Sequence, residues 1–373
     1  MSKPFIGWDI GGAHLKAVLL GDSGEVLQVL QLPCQLWRGL DQLEKAINNT
    51  LQAFKIAPSA AMHAVTMTGE LVDLFTNRHE GVMAISTLVT KLLGKDTLFY
   101  AAPSVSDTGG FVALARVSAL TPHIASSNWH ASASALAMQA NDALFIDIGS
   151  TTTDIIAIEA GKVSSLNLSD AARMADDSLV YTGVVRTPVM AIAQKLPFEG
   201  TQINVAAEYF ATMADVYRLT GELLPHHDMS DTADGKGKTA LESARRLARM
   251  IGHDVESKPI ETWKSLANTC KTLQMNQIKH ALLKHLKPNM IIIGAGAGNF
   301  LVQQIASELN CAYQSISMRV SRTNNQLQLV DSAGMTLAVT GDTSLINVHD
   351  LEVCFTAYAV ALLAKKQLAR QDA

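Results

Sequence analysis

One short pattern occurs twice in this chain. Phe5-Ile6-Gly7-Trp8-Asp9-Ile10-Gly11-Gly12 and Ala143-Leu144-Phe145-Ile146-Asp147-Ile148-Gly149-Ser150 both close an apolar run with an acid followed by small residues. A second and a third apolar run follow each copy. In the first they are Leu15 to Leu20 and Val26 to Leu32, parted by Gly21-Asp22-Ser23-Gly24. In the second they are Asp154 to Ile158 and Val163 to Leu168, parted by Glu159-Ala160-Gly161. Short apolar runs bounded by glycine-containing turns read as strands, and three in succession as a meander. The interval from Asp9 to Gly24 is 15 residues and that from Asp147 to Gly161 is 14, so the two meanders are nearly superposable. That spacing predicts a duplicated domain.

Helical patterns separate the strands. Leu40 to Phe54 has apolar residues at helical spacing, Ala64 to Met67 reads as a strand, and Ala131 to Gln139 is rich in helix formers. Strands alternating with helices predict an α/β fold. From about 203 to 286 the pattern is largely helical, broken by the polar loop Asp228 to Lys238, and reads as an insertion in the second repeat. Met290 to Leu301 reads as a buried strand entering the glycine loop Gly294-Ala295-Gly296-Ala297-Gly298 and then a helix. The helix-forming segment 350–373 is expected to pack back on a domain. The predicted organisation is a first domain over 1–141 joined by 350–373, and a second over 142–349.

Composition removes several function classes. The chain has 373 residues, of which 48% are apolar, which is enough for a sizeable core and too many for a disordered chain. Thirty Lys and Arg against 34 Asp and Glu give a formal charge of −4, so no chain-wide basic surface for nucleic acid is expected. Residues 236–287 are a local exception, basic through residues such as Arg245, Arg246 and Arg249, and are expected to be a solvated helical face. The apolar stretch Met290 to Val302 falls short of the roughly 20 residues of a membrane-spanning helix, and the segment from Met1 does not read as a signal peptide. A cytoplasmic protein is expected. Cys34, Cys270, Cys311 and Cys354 form no CxxC pair and read as reduced thiols.

The repeated turn carries the chemistry. A strand ending in Asp-Ile-Gly offers backbone N–H groups to phosphate oxygens, and its Asp can hold a hydrated Mg²⁺. The second copy adds the hydroxyls of Ser150, Thr151, Thr152 and Thr153. Glu70, in Thr66 to Asp73, follows a strand and reads either as a catalytic acid or base or as a helix-starting acid, with Asp73 second to it. Arg186, in Tyr181 to Pro188, reads equally as a clamp on phosphate or carboxylate and as a surface ion pair. His226, His227 and Asp228 read as a polar loop, as do Asp231 and Asp234. Asp234 to Thr239 ends like a P-loop but lacks its first glycine and the preceding strand, while Gly294, Gly296 and Gly298 do not complete a dinucleotide fingerprint.

The two Asp-Ile-Gly turns with the late glycine loop resemble the phosphate and adenosine motifs of the acetate kinase, sugar kinase, heat-shock chaperone and actin superfamily. More closely, Gly7 to Lys16, Thr66 to Asp73, Phe145 to Asp154, Tyr181 to Pro188, Ala214 to Gly221, and Asp231 to Lys238 with Ala244 to Met250 resemble the methanofuran-biosynthesis synthase family, whose members are often labelled hydantoinase/oxoprolinase-like. The resemblance implies two actin-like, ribonuclease H-like domains around a phosphate-binding cleft. It implies a transferase that joins an aminomethylfuran diphosphate to the phenol of γ-glutamyltyramine or a tyrosine-type acceptor with release of pyrophosphate. On that reading Asp9 and Asp147 hold Mg²⁺, and Glu70 takes the phenol proton. Phosphate meets Gly11, Gly12, His14, Lys16, Gly149, Ser150, Thr151, Thr152 and Arg186, while Gly294, Gly296 and Gly298 form the nucleotide-like loop. The partners are then a small diphosphate donor and a phenol, with neither nucleic acid nor membrane. An ATP-dependent small-molecule kinase or hydantoinase-like enzyme, and a non-catalytic nucleotide-binding protein, remain as alternatives of the same fold.

Overall fold

Strand β1, Phe5–Ile10, is buried at all six positions, which requires cover on both faces of its sheet. One cover is the apolar stripe of the helices Leu40–Phe54 and Arg78–Leu93, whose Leu43, Ile47, Val82 and Ile85 share a core with Ile6, Trp8 and Ile10. The other is the helix Phe355–Gln371. Its backbone lies so close that a Cβ on Gly7 would sit 1.8 Å from the Ala357 carbonyl oxygen, so only glycine fits there. The computed structural model describes residues 3–103, 109–165, 167–317 and 348–371, with the side chains of 348 and 349 excepted.

The first sheet has the order β3-β2-β1-β4-β5-β6. Here β2 is His14–Leu20, β3 Val26–Pro33, β4 Met62–Met67, β5 Thr97–Ala101 and β6 Gly110–Val112. The β1-β2-β3 meander is antiparallel, β4 runs parallel to β1 and β5 parallel to β4. The second sheet has the order β10-β8-β7-β13-β14 with β9 beside β8. Its strands are β7 Ala143–Ile148, β8 Thr153–Glu159, β9 Lys162–Val163, β10 Leu179–Val180, β13 Ile291–Ala295 and β14 Tyr313–Ser315, with β13 and β14 parallel. Both sheets therefore start with a meander and return, after helices, to place a later strand beside the first. The chain is an α/β protein with two duplicated actin-like units.

The described residues within Met1–Ala143, Ala157–Arg173 and Ile316–Ala373 form one compact unit, and Leu144–Ile156 with Met174–Ser315 the other. Between β10 and β13 the second unit carries the helices Met213–Thr220, Ala240–Arg249 and Ile260–Leu283. Ahead of them a small hairpin pairs β11, Lys195–Phe198, with β12, Thr201–Asn204, an element the sequence pattern did not indicate. The expectation of a solvated face at Arg245, Arg246 and Arg249 needs correction at Arg246, whose side chain is fully buried. Its Nε donates to Asp215 Oδ1 at 2.8 Å, Nη1 to Asp234 Oδ1 at 2.9 Å and Nη2 to the Gly237 carbonyl at 3.0 Å. Asp215 and Asp234 come from a helix and a loop distant in sequence, which is why helical periodicity alone could not reveal the pairing. Arg218 completes the network, reaching Asp215 Oδ1 and Asp228 Oδ2, each at 2.7 Å. Asp228 and Asp234 thus fasten a loop to the helices, and breaking such a buried set costs several kcal/mol, about 3 to 5. Cys34, Cys270 and Cys354 are buried free thiols and Cys311 a partly buried one. No helix among the described residues is long and apolar enough to cross a membrane.

Candidate functional site

The two repeated turns close in the same way. Gly11 N–H donates to the His14 carbonyl at 2.9 Å, and Gly149 N–H to the Thr152 carbonyl at 2.9 Å. A later segment then packs on each turn. In the first unit, Thr68 N–H donates to Ile10 O at 2.9 Å, and a Cβ on Gly69 would lie 3.3 Å from the carbonyl oxygens of both Ile10 and Gly11. In the second, Gly298 N–H donates to Ile148 O at 2.8 Å. Thr68 and Gly298 are therefore equivalent positions, each just beyond a strand that neighbours the first strand of its sheet.

The first unit gathers Asp9, Gly11, Gly12, His14, Lys16 and Glu70 about one turn. Asp9 and Lys16 are opposite each other on β1 and β2, and Lys16 Nζ lies 3.6 Å from the buried Asp9 Oδ2. The carbonyls of Gly12 and Ala13 accept from the N–H groups of Leu36 and Cys34 at 3.0 and 2.8 Å. Glu70 follows Gly69 in a short 3-10 turn, and no helix begins there, because the next helix starts at Arg78 with Asn77 as its cap. Only 1% of Glu70 is exposed. Ser126 Oγ donates to its Oε1 at 2.7 Å, and Oε2 makes no hydrogen bond among the described residues. Burial pushes its carboxyl up to about 7, with the Ser126 bond opposing. The ion pair of Arg78 and Asp170, 2.7 Å apart, stands within electrostatic range, Arg78 favouring the carboxylate and Asp170 disfavouring it. Room for Glu70 comes from Gly81 on the Arg78–Leu93 helix, where a Cβ would meet the Glu70 Cα at 2.8 Å. Asp73 is exposed and stands outside this group.

The second unit gathers three segments. Around the turn Gly149 to Thr152 runs the segment 181–188, whose N–H groups donate from Val184 to Gly149 O at 3.0 Å, and from Val185 and Arg186 to Ser150 O at 3.1 and 2.8 Å. A Cβ on Gly183 would lie 2.5 Å from both Ser150 C and Thr151 N, so backbone packs directly on backbone. The third segment is the late glycine loop. Gly296, at φ +83°, lies where a Cβ would be 2.3 Å from Asp147 Oδ1 and from Ile148 O, and one on Gly298 would strike Ile148 and Val184. Gly294 makes room for Asn299, whose Oδ1 accepts from Tyr313 at 2.8 Å. Arg186 is exposed beside the turn.

Sequence reasoning missed Ser126, the Arg78–Asp170 pair and the buried amide of Gln274 behind the 181–188 segment. Ser126 sits at a φ of +49°, a conformation that a serine in the sequence does not announce. Chemically, the first unit offers a buried carboxyl near neutrality at Glu70 and a lysine paired with Asp9, and the second offers a turn of amides and hydroxyls beside a carboxylate.

A duplicated actin-like fold with a glycine turn at the end of the leading strand of each unit defines the class. Within it, residues 61–338 match the hydantoinase/oxoprolinase family, and the chain belongs to that family. It is 28% identical over 314 residues to the (4-{4-[2-(gamma-L-glutamylamino)ethyl]phenoxymethyl}furan-2-yl)methanamine synthase of Methanocaldococcus jannaschii, covering 83% of this chain and 91% of the relative. A synthase of the same name from Methanococcus vannielii is 32% identical over 161 residues, covering 41% and 70% respectively. Among solved structures, component A of the (R)-2-hydroxyglutaryl-CoA dehydratase of Acidaminococcus fermentans aligns over 99% of this chain and 100% of its own, at 12% identity and a TM-score of 0.48.

Proposed function

We propose that the chain is a transferase of methanofuran-type cofactor biosynthesis, coupling an aminomethylfuran diphosphate to the phenol of γ-glutamyltyramine or a tyrosine-type acceptor and releasing pyrophosphate. The reading draws on the Methanocaldococcus jannaschii relative, whose named product holds a phenol oxygen bonded to a furan-bearing methylene. The observation that carries it is Glu70, a buried carboxyl with its value near 7 and one oxygen without a hydrogen bond among the described residues, set against the Asp9 turn. A phenol is a weak nucleophile until its proton is taken, and a base near neutrality suits that transfer.

In the proposed step Glu70 accepts the phenol proton as the phenol oxygen bonds to the furan methylene carbon. The carbon–oxygen bond to the diphosphate breaks, its electron pair leaves with pyrophosphate, and the furan ring stabilises positive charge at the methylene in a loose displacement or short-lived cation. Charge then grows on the leaving diphosphate, where preorganised donors act most strongly. Lys16, the amides of the two turns and the hydroxyls of Ser150, Thr151 and Thr152 are the donors assigned to it, with Arg186 a further cation. Asp147 lies against the Cα of Gly296, where any methyl would collide with its Oδ1. Asp9 and Asp147 would hold Mg²⁺, which when bound supplies positive charge to the diphosphate.

The test is incubation with synthetic aminomethylfuran diphosphate and each phenol in turn, followed by mass spectrometry. A product with the mass of both parts less the diphosphate and one proton supports the transferase and names the acceptor. Consumption of ATP with the furan compound intact would return the protein to the kinase-like alternative.

A further inference from the structure

Gln274, fully buried on the helix Ile260–Leu283, reaches the segment that holds the second turn. Its Nε2 donates to Thr182 Oγ1 at 2.7 Å and to the Gly183 carbonyl at 2.9 Å, and its Oε1 accepts from the Tyr217 hydroxyl. Both N–H groups of the amide and one lone pair of its oxygen are thus used in the interior. Around them Thr153 Oγ1 donates to Thr182 O at 2.7 Å and Gly183 N–H to Thr187 Oγ1 at 2.8 Å. Position 182–183 is therefore fixed from its inner side, and residues 184–186, which follow, donate to the carbonyls of Gly149 and Ser150.

A peptide group is planar and trans, so a carbonyl held in one direction turns the next N–H in the opposite one. Tying the Gly149 and Ser150 carbonyls to 184–186 directs the Ser150 and Thr151 amides away from that segment. Two successive amides so aimed are suited to an oxyanion. We infer that Gln274 is a positioning residue, which through Thr182 and Gly183 sets the orientation of the Ser150 and Thr151 amides for the oxygens of a phosphate-bearing ligand. The inference rests on the reading of this turn as a diphosphate seat. Glutamine is the side chain of this size that donates twice and accepts once, and any apolar replacement leaves the Gly183 carbonyl and Tyr217 hydroxyl buried without partners.

The experiment is calorimetric titration of the full chain, with magnesium ion, using inorganic pyrophosphate and separately ADP, on wild type, Gln274→Met and Tyr217→Phe. Gln274→Met is expected to raise Kd about tenfold for whichever of the two the wild type takes, and Tyr217→Phe about threefold. Deuterium exchange at Val184, Val185 and Arg186 should quicken in the same order, with the KM for the phenol unchanged, a pattern that general loosening of the fold would not give. If Gln274→Met fails to fold, Tyr217→Phe decides. A folded variant that binds as tightly as wild type overturns the inference, and so does a wild type that takes neither ligand. Binding of ADP that depends on Gln274, with no turnover of furan diphosphate, upholds the inference while sinking the transferase reading.

Discussion

The Asp9 turn and the Asp147 turn are the same backbone device in two settings. Each closes with a glycine N–H on the carbonyl three residues on, and each receives a later segment on its flank. The first is tied down by residues that directly follow its own meander, Cys34 and Leu36, and is bordered by a lysine and a buried carboxyl. The second is tied down by a segment more than thirty residues away in sequence, itself held by the inserted helices, and is bordered by hydroxyls and an exposed arginine. Duplication supplied the turn twice, and what packs behind each copy gives the first a buried carboxyl and a lysine and the second hydroxyls and an arginine.

Asn in place of either turn acid should have the largest effect. Asp9→Asn and Asp147→Asn are each expected to lower kcat by about 10³-fold or more, read by product formation under saturating magnesium. Retained turnover in one of them would break the equivalence of the two turns. Glu70→Gln comes next, with an expected loss of about 10²-fold in kcat/KM. The wild-type profile should rise with pH and level above about 7, as the carboxyl ionises, and the variant should be flat there.

The same group sets a stability signature. Folded Glu70 keeps a proton up to about 7, whereas the unfolded chain releases it near the ordinary value of 4.5. Its contribution is full below about 4.5 and lost as pH rises to about 7, by up to about 3 kcal/mol, so that part of the decline of Tm with pH should vanish in Glu70→Gln.

The flanking glycines sharpen the comparison most. Gly183→Ala forces a methyl against backbone at 2.5 Å and should cost about 2 to 4 kcal/mol, whereas Gly69→Ala first meets the movable end of Leu36 at 2.7 Å and should cost about 1 kcal/mol. Denaturant unfolding measures both. Equal costs would mean that the second turn is no more tightly backed than the first.

Much of this was legible in the sequence, since the turns, their strands and the late glycine loop are local patterns of apolar runs, acids and small residues. The hidden part was what distant segments do to those turns. Arg246 reads as one of three arginines on a helix, and only the meeting of Asp215 and Asp234 makes it a buried tie. Gln274 lies in an unremarkable helical stretch, and its role exists only because Thr182 and Gly183 arrive from 91 and more residues away. Glu70 was singled out as an acid near a helix start, but its burial depends on Gly81 and its partner on Ser126, neither of which periodicity marks.

The most direct test of the central claim is phosphorus NMR of a reaction in which the oxygen joining the furan methylene to the diphosphate is ¹⁸O, with the phenol and magnesium present and ATP run in parallel. Label released in free pyrophosphate, only when donor and phenol are both present, is the expected result. An untouched furan diphosphate beside ADP formed from ATP would contradict it.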